Sequence, residues 1–174
     1  VLTESISSQA DEVISLARRE IVFDRPEYEE AFREAVLDEA VYSSVIEGAF
    51  TTKKEAREFI HEGRSPKNKS EQMVKNNYEA LTYVLEHIDE SITEQTIFDI
   101  YALVTKDTFE ADVPTNAYRN ESVFVQSSRG EIFHIAPQAE KVPGMMASLL
   151  DFITDSELPP LIKACIAHFY FVYV

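Results

Sequence analysis

Four histidines, one cysteine and a glutamate at a helix end are the residues of this sequence whose chemistry is worth following. His61, His87, His134 and His168 lie far apart, and none has a second ligand one turn away on the same helix, so they suggest no metal site. There is no glycine-rich phosphate loop and no nucleophile elbow, so the sequence holds no self-contained catalytic apparatus. Cys165 is the single cysteine. It excludes an internal disulfide and a cysteine-based zinc site, and fits a reducing compartment. Glu47 is harder to dismiss. In Ser43-Ser44-Val45-Ile46-Glu47-Gly48 it falls in the last turn of a helix, where its charge meets the negative end of the helix dipole among apolar neighbours. Two readings stay open: a partly exposed glutamate with Ser43 one turn back, or Ser43 and Glu47 aimed together at an arginine elsewhere in the fold.

The second candidate is a hairpin. Val123-Phe124-Val125 and Ile132-Phe133-His134-Ile135 flank Ser127-Ser128-Arg129-Gly130, two short β-rich runs around a glycine turn. The runs carry few charges, so their edges are either blunted or free to add another protein's extended segment by β-augmentation. A lone hairpin is marginal by itself and usually exists to present something.

Helices must position both candidates. Glycine is scarce at four residues and the hydrophobic spacing is three or four, which predicts a mainly α domain. Ile6, Ala10, Val13, Ile14, Ala17 and Ile21 form one stripe. The next helix opens at Pro26 and runs toward Glu47, with Gly48 placed to end it. Thr52 and Glu55 have the spacing of a capping box, and Gly63 closes that short helix. Residues 63–70 read as a loop. Stripes return at Met73, Tyr78, Leu81, Val84 and Leu85, and at Ile97, Ile100, Tyr101, Val104 and Phe109. Asp112, Pro114, Asn116 and Asn120 mark a long loop before the hairpin. Helical spacing resumes through Met145, Met146, Leu149, Leu150 and Ile153, and Pro159-Pro160 start a last helix from Leu161 to Val174. The acidic run Glu27, Glu29, Glu30 and Glu34 reads as a solvated helix face, and Met145 and Met146 as core filler.

With 174 residues, 45% hydrophobic and 27% charged, the chain has the composition of one globular domain rather than a disordered segment. Sixteen basic against thirty-one acidic residues give a net charge of -15, which argues against direct contact with nucleic acid or an anionic membrane surface. No signal peptide is visible and no apolar stretch approaches the roughly 18 residues of a membrane span, so a soluble, cytoplasmic protein is expected. The sequence begins at Val1 and its last helix stops on Phe169-Tyr170-Phe171-Val172-Tyr173-Val174 without a cap or polar tail. Both ends therefore read as cut, and such an aromatic run is expected to be a buried central helix in a continuing chain.

Taken in order, these residues resemble the Fic domain family, in its subgroup with an N-terminal inhibitory helix. Ser43-Ser44-Val45-Ile46-Glu47-Gly48 is similar to that family's inhibitory motif, and Asn77-Tyr78-Glu79-Ala80-Leu81 to the helix that commonly follows. Tyr118-Arg119, Val123, Val125, Gly130, His134, Pro137 and Val142-Pro143 are similar to the segment leading through the family's flap hairpin. Leu161-Ile162-Lys163-Ala164-Cys165-Ile166-Ala167-His168-Phe169 resembles the helix that leads into the signature His-Pro-Phe, two variable residues, Gly-Asn-Gly-Arg. The similarity covers roughly Ala35 to Val174. The signature itself is absent, and the catalytic histidine is expected next after Val174.

The resemblance implies a Fic-like helical bundle with one flap hairpin. N-terminal helices would occupy 1–60, including an inhibitory helix at about 27–47, and an incomplete core 61–174, with the flap at about 123–135. For an intact member it implies a protein adenylyltransferase that moves AMP from ATP, with Mg2+, to a hydroxyl of a target protein. No catalytic residue and no metal ligand is expected within this chain, nor tight binding of ATP or Mg2+ to it. Glu47 would pair with the last arginine of the signature and keep the γ-phosphate of ATP from seating productively, with Ser43 bonding at the same site. Val123, Phe124, Val125, Ile132, Phe133 and His134 would hold a stretch of the target in extended form. A non-enzymatic Fic-like interaction module is the alternative. Oligomeric state stays open, a homodimer among the possibilities.

Overall fold

Each helix leaves four amides and four carbonyls without intrahelical partners, so the residues at helix ends largely decide how the chain is tied together. The computed structural model describes residues 3–20, 26–108, 114–155 and 157–174, without the side chains of 17–20 and 26–28. Ile21, Phe109 and Asp112 of the expected pattern lie outside the described residues, as do the side chains of Ala17 and Glu27. Among the described residues there are seven α-helices, a two-stranded antiparallel hairpin and a 3-10 turn, the helical fold that the spacing predicts. No helix among them is long and apolar enough to cross a membrane. The chain divides into two compact units, one of residues Val22–Glu90 and Gln95–Asn116, the other of Val1–Ile21, Ser91–Glu94 and Ala117–Val174. The units interleave in sequence, and the boundary expected between residues 60 and 61 falls inside the first of them.

In that unit α2 (Pro26–Ile46) packs against α3 (Lys53–His61) and α4 (Lys69–Glu86). Leu37 and Val41 of α2, Ala56 and Phe59 of α3, and Val74 of α4 form the buried core, with Ile60 and Tyr78 against it. The spacing of three or four within each helix puts these side chains on one face, as the stripes require. The capping box of α3 is present: Thr52 Oγ1 accepts the Glu55 amide at 3.2 Å, and the Glu55 carboxylate accepts the Thr52 amide at 2.9 Å. Gly63, with φ of +70°, follows its C-cap. The expected loop over 63–70 is shorter, because Asn68 Oδ1 accepts the Glu71 amide at 2.9 Å and starts α4 at Lys69.

Two sets of charges tie this unit together. Glu71 is buried, and Arg64 donates to both its oxygens at 2.8 and 3.1 Å while the Lys67 amide adds a bond of 2.7 Å. The Arg64 fork beside it holds the Glu71 carboxyl below the usual carboxylate range, against the opposing effect of burial. The guanidinium also lies 5.5 Å from the Phe59 ring centre. On α2 the acidic run is not uniformly solvated. Glu29 makes an exposed pair with Arg33, whereas Glu34 bonds Arg57 and sits 3.3 Å from Lys53, which reaches Asp38 at 2.5 Å. Positions 34 and 38 thus fasten α3 to α2.

Helix α5 (Glu94–Thr105) ends against a side chain of α4. Asn76 is wholly buried, and its amide donates to the carbonyls of Val104 at 3.1 Å and Lys106 at 2.6 Å, while its Oδ1 accepts from Gln72 Nε2 at 2.7 Å. Each polar atom is therefore matched in a place where water cannot substitute.

In the other unit α6 (Val142–Asp155) follows the 3-10 turn Ala139–Lys141 and packs against α7 (Pro160–Tyr173), and α1 (Glu4–Glu20) also packs against α7. Val142, Met146 and Leu149 are buried along α6, so Met146 fills core as expected, with Met145 half-buried. Pro159 caps α7 and Pro160 is its first residue, where a missing N–H costs nothing. No residue of α7 is buried in this chain, and Phe169 is 73% exposed.

Asn76→Ala strips the carbonyls of Val104 and Lys106 of their donor. It should lower unfolding stability by about 1–3 kcal/mol per orphaned group, read by urea denaturation; a loss below the error of that measurement would refute the clamp. The Glu71 carboxyl is lowered from 4.5 in the fold, so below that pH the unfolded chain takes up its proton first. The stability it contributes is complete above 4.5 and drains away as pH falls through the folded value. Glu34 and Glu55, lowered by Arg57 and Thr52 respectively, act in the same direction. Glu71→Gln should lower the urea midpoint at neutral pH and flatten its decline on acidification. An acid limb as steep as the parent's would count against Glu71.

Candidate functional site

The end of α2 presents Glu47 by a defined turn. Gly48 has φ of +92°, and its amide donates to the Val45 carbonyl at 3.0 Å while the Ala49 amide donates to that of Ser44 at 2.9 Å. This pair of bonds is the Schellman motif, which needs a residue free to adopt the left-handed conformation at position 48. The turn is anchored from inside. Ser44 is wholly buried, its hydroxyl donates to the Ala40 carbonyl at 2.7 Å, and it accepts from Asn77 Nδ2 of α4 at 2.8 Å. Ser43, expected beside Glu47, instead donates to Glu39 Oε1 at 2.8 Å, one turn toward the N-terminus. Glu47 is exposed, and its carboxylate has no hydrogen bond or ion pair among the described residues. The last turn of α2 contains no basic residue to offset it, and Ile46 and Phe50 beside it are exposed too.

The hairpin belongs to the other unit. β1 (Phe124–Gln126) pairs with β2 (Ile132–Ile135) in the register Phe124 to Ile135, Val125 to His134 and Gln126 to Ile132. Phe133 is left over as a β-bulge. Val123, expected in the first strand, lies just before β1, and its carbonyl accepts the Ala136 amide at 2.9 Å. Gly130, with φ of +85°, makes the turn, its amide donating to the Ser127 carbonyl at 3.0 Å. Val123, Phe124, Val125, Ile132 and Phe133 are all exposed, Phe133 at 71%, and His134 is half-buried. A two-stranded sheet pairs each strand on one side only, so both outer edges keep backbone groups to offer.

The base of the hairpin is fixed to the C-terminal end of α7. The ring nitrogen Nε2 of His134 lies 3.0 Å from the Tyr173 carbonyl, and the two rings are tilted at 5.2 Å. Arg119 donates to the carbonyls of Glu121, Pro137 and Val174. Tyr118 next to it donates to Glu94 Oε1 at 2.9 Å, and burial with this acceptor pushes the phenol up to about 12. The sequence marks Tyr118 and Arg119 only through the resemblance, and Ser44 and Asn77 pass unmarked as partners. A serine, an asparagine or an arginine shows nothing in its spacing when its partner lies tens of residues away.

The structure brings Val123, Phe124, Val125, Ile132, Phe133 and His134 together in one hairpin, and places Ser43 and Glu47 in the other unit. Among the described residues no group of three or more His, Cys, Asp or Glu is placed to hold a metal ion.

No curated protein sequence matches the chain significantly. Among solved structures, a Fic family protein from Desulfovibrio desulfuricans G20 matches 100% of this chain and 52% of its own, with a TM-score of 0.75 and 23% identity. The chain spans about half the length of that protein, and the likeness shows a shared fold. The Fic/DOC family model matches residues 91–174, which include α5, the hairpin, α6 and α7.

Proposed function

We propose that this chain is the regulatory and target-docking part of a self-inhibited protein adenylyltransferase, which moves AMP from ATP to a hydroxyl of a target protein. The observation that carries this reading is the exposed hairpin fixed at its base to the end of α7, the helix that resembles the one leading into the family's signature. A strand added to an open hairpin edge gains main-chain hydrogen bonds and is held straight, which places one hydroxyl rather than many beside the end of α7. The residues described here bind no nucleotide in this reading. Their work is to hold the target strand and to supply an inhibitory carboxylate. Glu47 fits the inhibitory role because it is exposed, unpaired among the described residues and set by a rigid turn, so it is free to meet a cation.

The deciding experiment is label transfer from radioactive ATP in the natural gene product. Glu47→Gly should raise self-modification several-fold there, while the purified 174-residue chain should transfer no label. An unchanged rate in the variant removes Glu47 from the inhibitory role. A gene product with no transfer in either form leaves the hairpin as a non-enzymatic docking module. In an active gene product Phe133→Glu, which places a charge on an exposed apolar position, should reduce target modification by about tenfold without unfolding the protein. Unchanged target modification in that variant argues against docking on the hairpin.

A further inference from the structure

We infer that Arg119 is a positioning residue that sets the hairpin at a fixed place over the C-terminal end of α7, and so decides where a docked target strand lies. This inference rests on the docking reading above. Arg119 is half-buried, and its Nη1 donates to the Glu121 carbonyl at 2.8 Å, just before the first strand. Its Nη2 donates to the Pro137 carbonyl at 2.6 Å, just after the second strand, and to the Val174 carbonyl at 3.0 Å. One planar group therefore joins both feet of the hairpin to the end of α7.

The chemistry suits a spacer rather than an adaptable contact. A guanidinium offers five N–H donors in a rigid fork, so the three carbonyls are held in one mutual arrangement. Tyr118 fastens the preceding residue through its bond to Glu94, and a phenol pushed up to about 12 stays a neutral donor. His134 adds an independent tie from β2 to the Tyr173 carbonyl. Lysine, a point charge on a flexible stem, cannot span three carbonyls in this way.

The chain carries its own reporter. Cys165 is the only cysteine, exposed on α7, and Ser128 is exposed at the hairpin turn. With Ser128→Cys added and both thiols spin-labelled, electron–electron double resonance reads the distance from hairpin tip to helix. The expected result is one narrow distribution with Arg119 in place and a distribution about twofold wider in Arg119→Gln. Arg119→Lys, which keeps the charge but not the fork, should fall between them and serves as the test if the glutamine variant fails to fold. Unchanged widths in the folded variants overturn the inference.

A second readout separates positioning from general support. In the active gene product Arg119→Gln should raise KM for the protein target about tenfold, with KM for ATP unchanged. An equal rise in both would overturn the positioning role. Where Phe133→Glu has no effect on target modification, the docking reading fails by itself, and unchanged widths would still be needed to refute the spacer.

Discussion

Orphaned backbone groups at helix ends are the constraint on which this structure depends. A buried carbonyl without a partner costs about as much as a lost hydrogen bond, so each end calls for a donor or acceptor from its own turn, from another segment or from solvent. Here α2 closes with Gly48 and Ala49, and α3 opens with Thr52 and Glu55. The end of α5 takes the Asn76 amide from α4, and the end of α6 takes Lys163 Nζ from α7 at the Ile153 carbonyl. Several of these partners come from another segment, so the same bonds that finish a helix also fix its neighbour.

That distinction explains what could be read from the residues in advance. Ends closed locally were legible: the capping box at Thr52, the left-handed glycines at 48 and 63, and the proline start of α7 all follow from spacing within a few residues. Ends closed from afar were not. Asn76 binds a carbonyl 30 residues on, and Arg119 one 55 residues on, and no periodicity carries that information. Within the acidic run of α2, Glu34 departs from a solvated face for the same reason, since it finds its cations on α3. Of the candidate site, the hairpin and the end of α2 were both visible as segments. The bonds that present them, Asn77 to Ser44 and Arg119 to three carbonyls, became visible only once the chain was folded.

The two halves of the candidate site are built differently. Glu47 is displayed by a turn, held by short-range bonds and by the hydrogen bond from Asn77 of α4 to Ser44 of α2. The hairpin is displayed by ties at its base alone, and its apolar side chains remain open to solvent. Exposed apolar residues on a short sheet gain little from water, and their contribution is withheld until another surface covers them.

The bulge at Phe133 has a geometric effect on the ribbon. In an uninterrupted hairpin one strand can slip along the other by two residues and still point every side chain to its former face. An extra residue on one strand removes that freedom, because a slip would carry the bulge to a new address and break the pairs on both sides of it. The alignment of Val125 with His134 is therefore locked from within the hairpin, independently of the turn at Gly130.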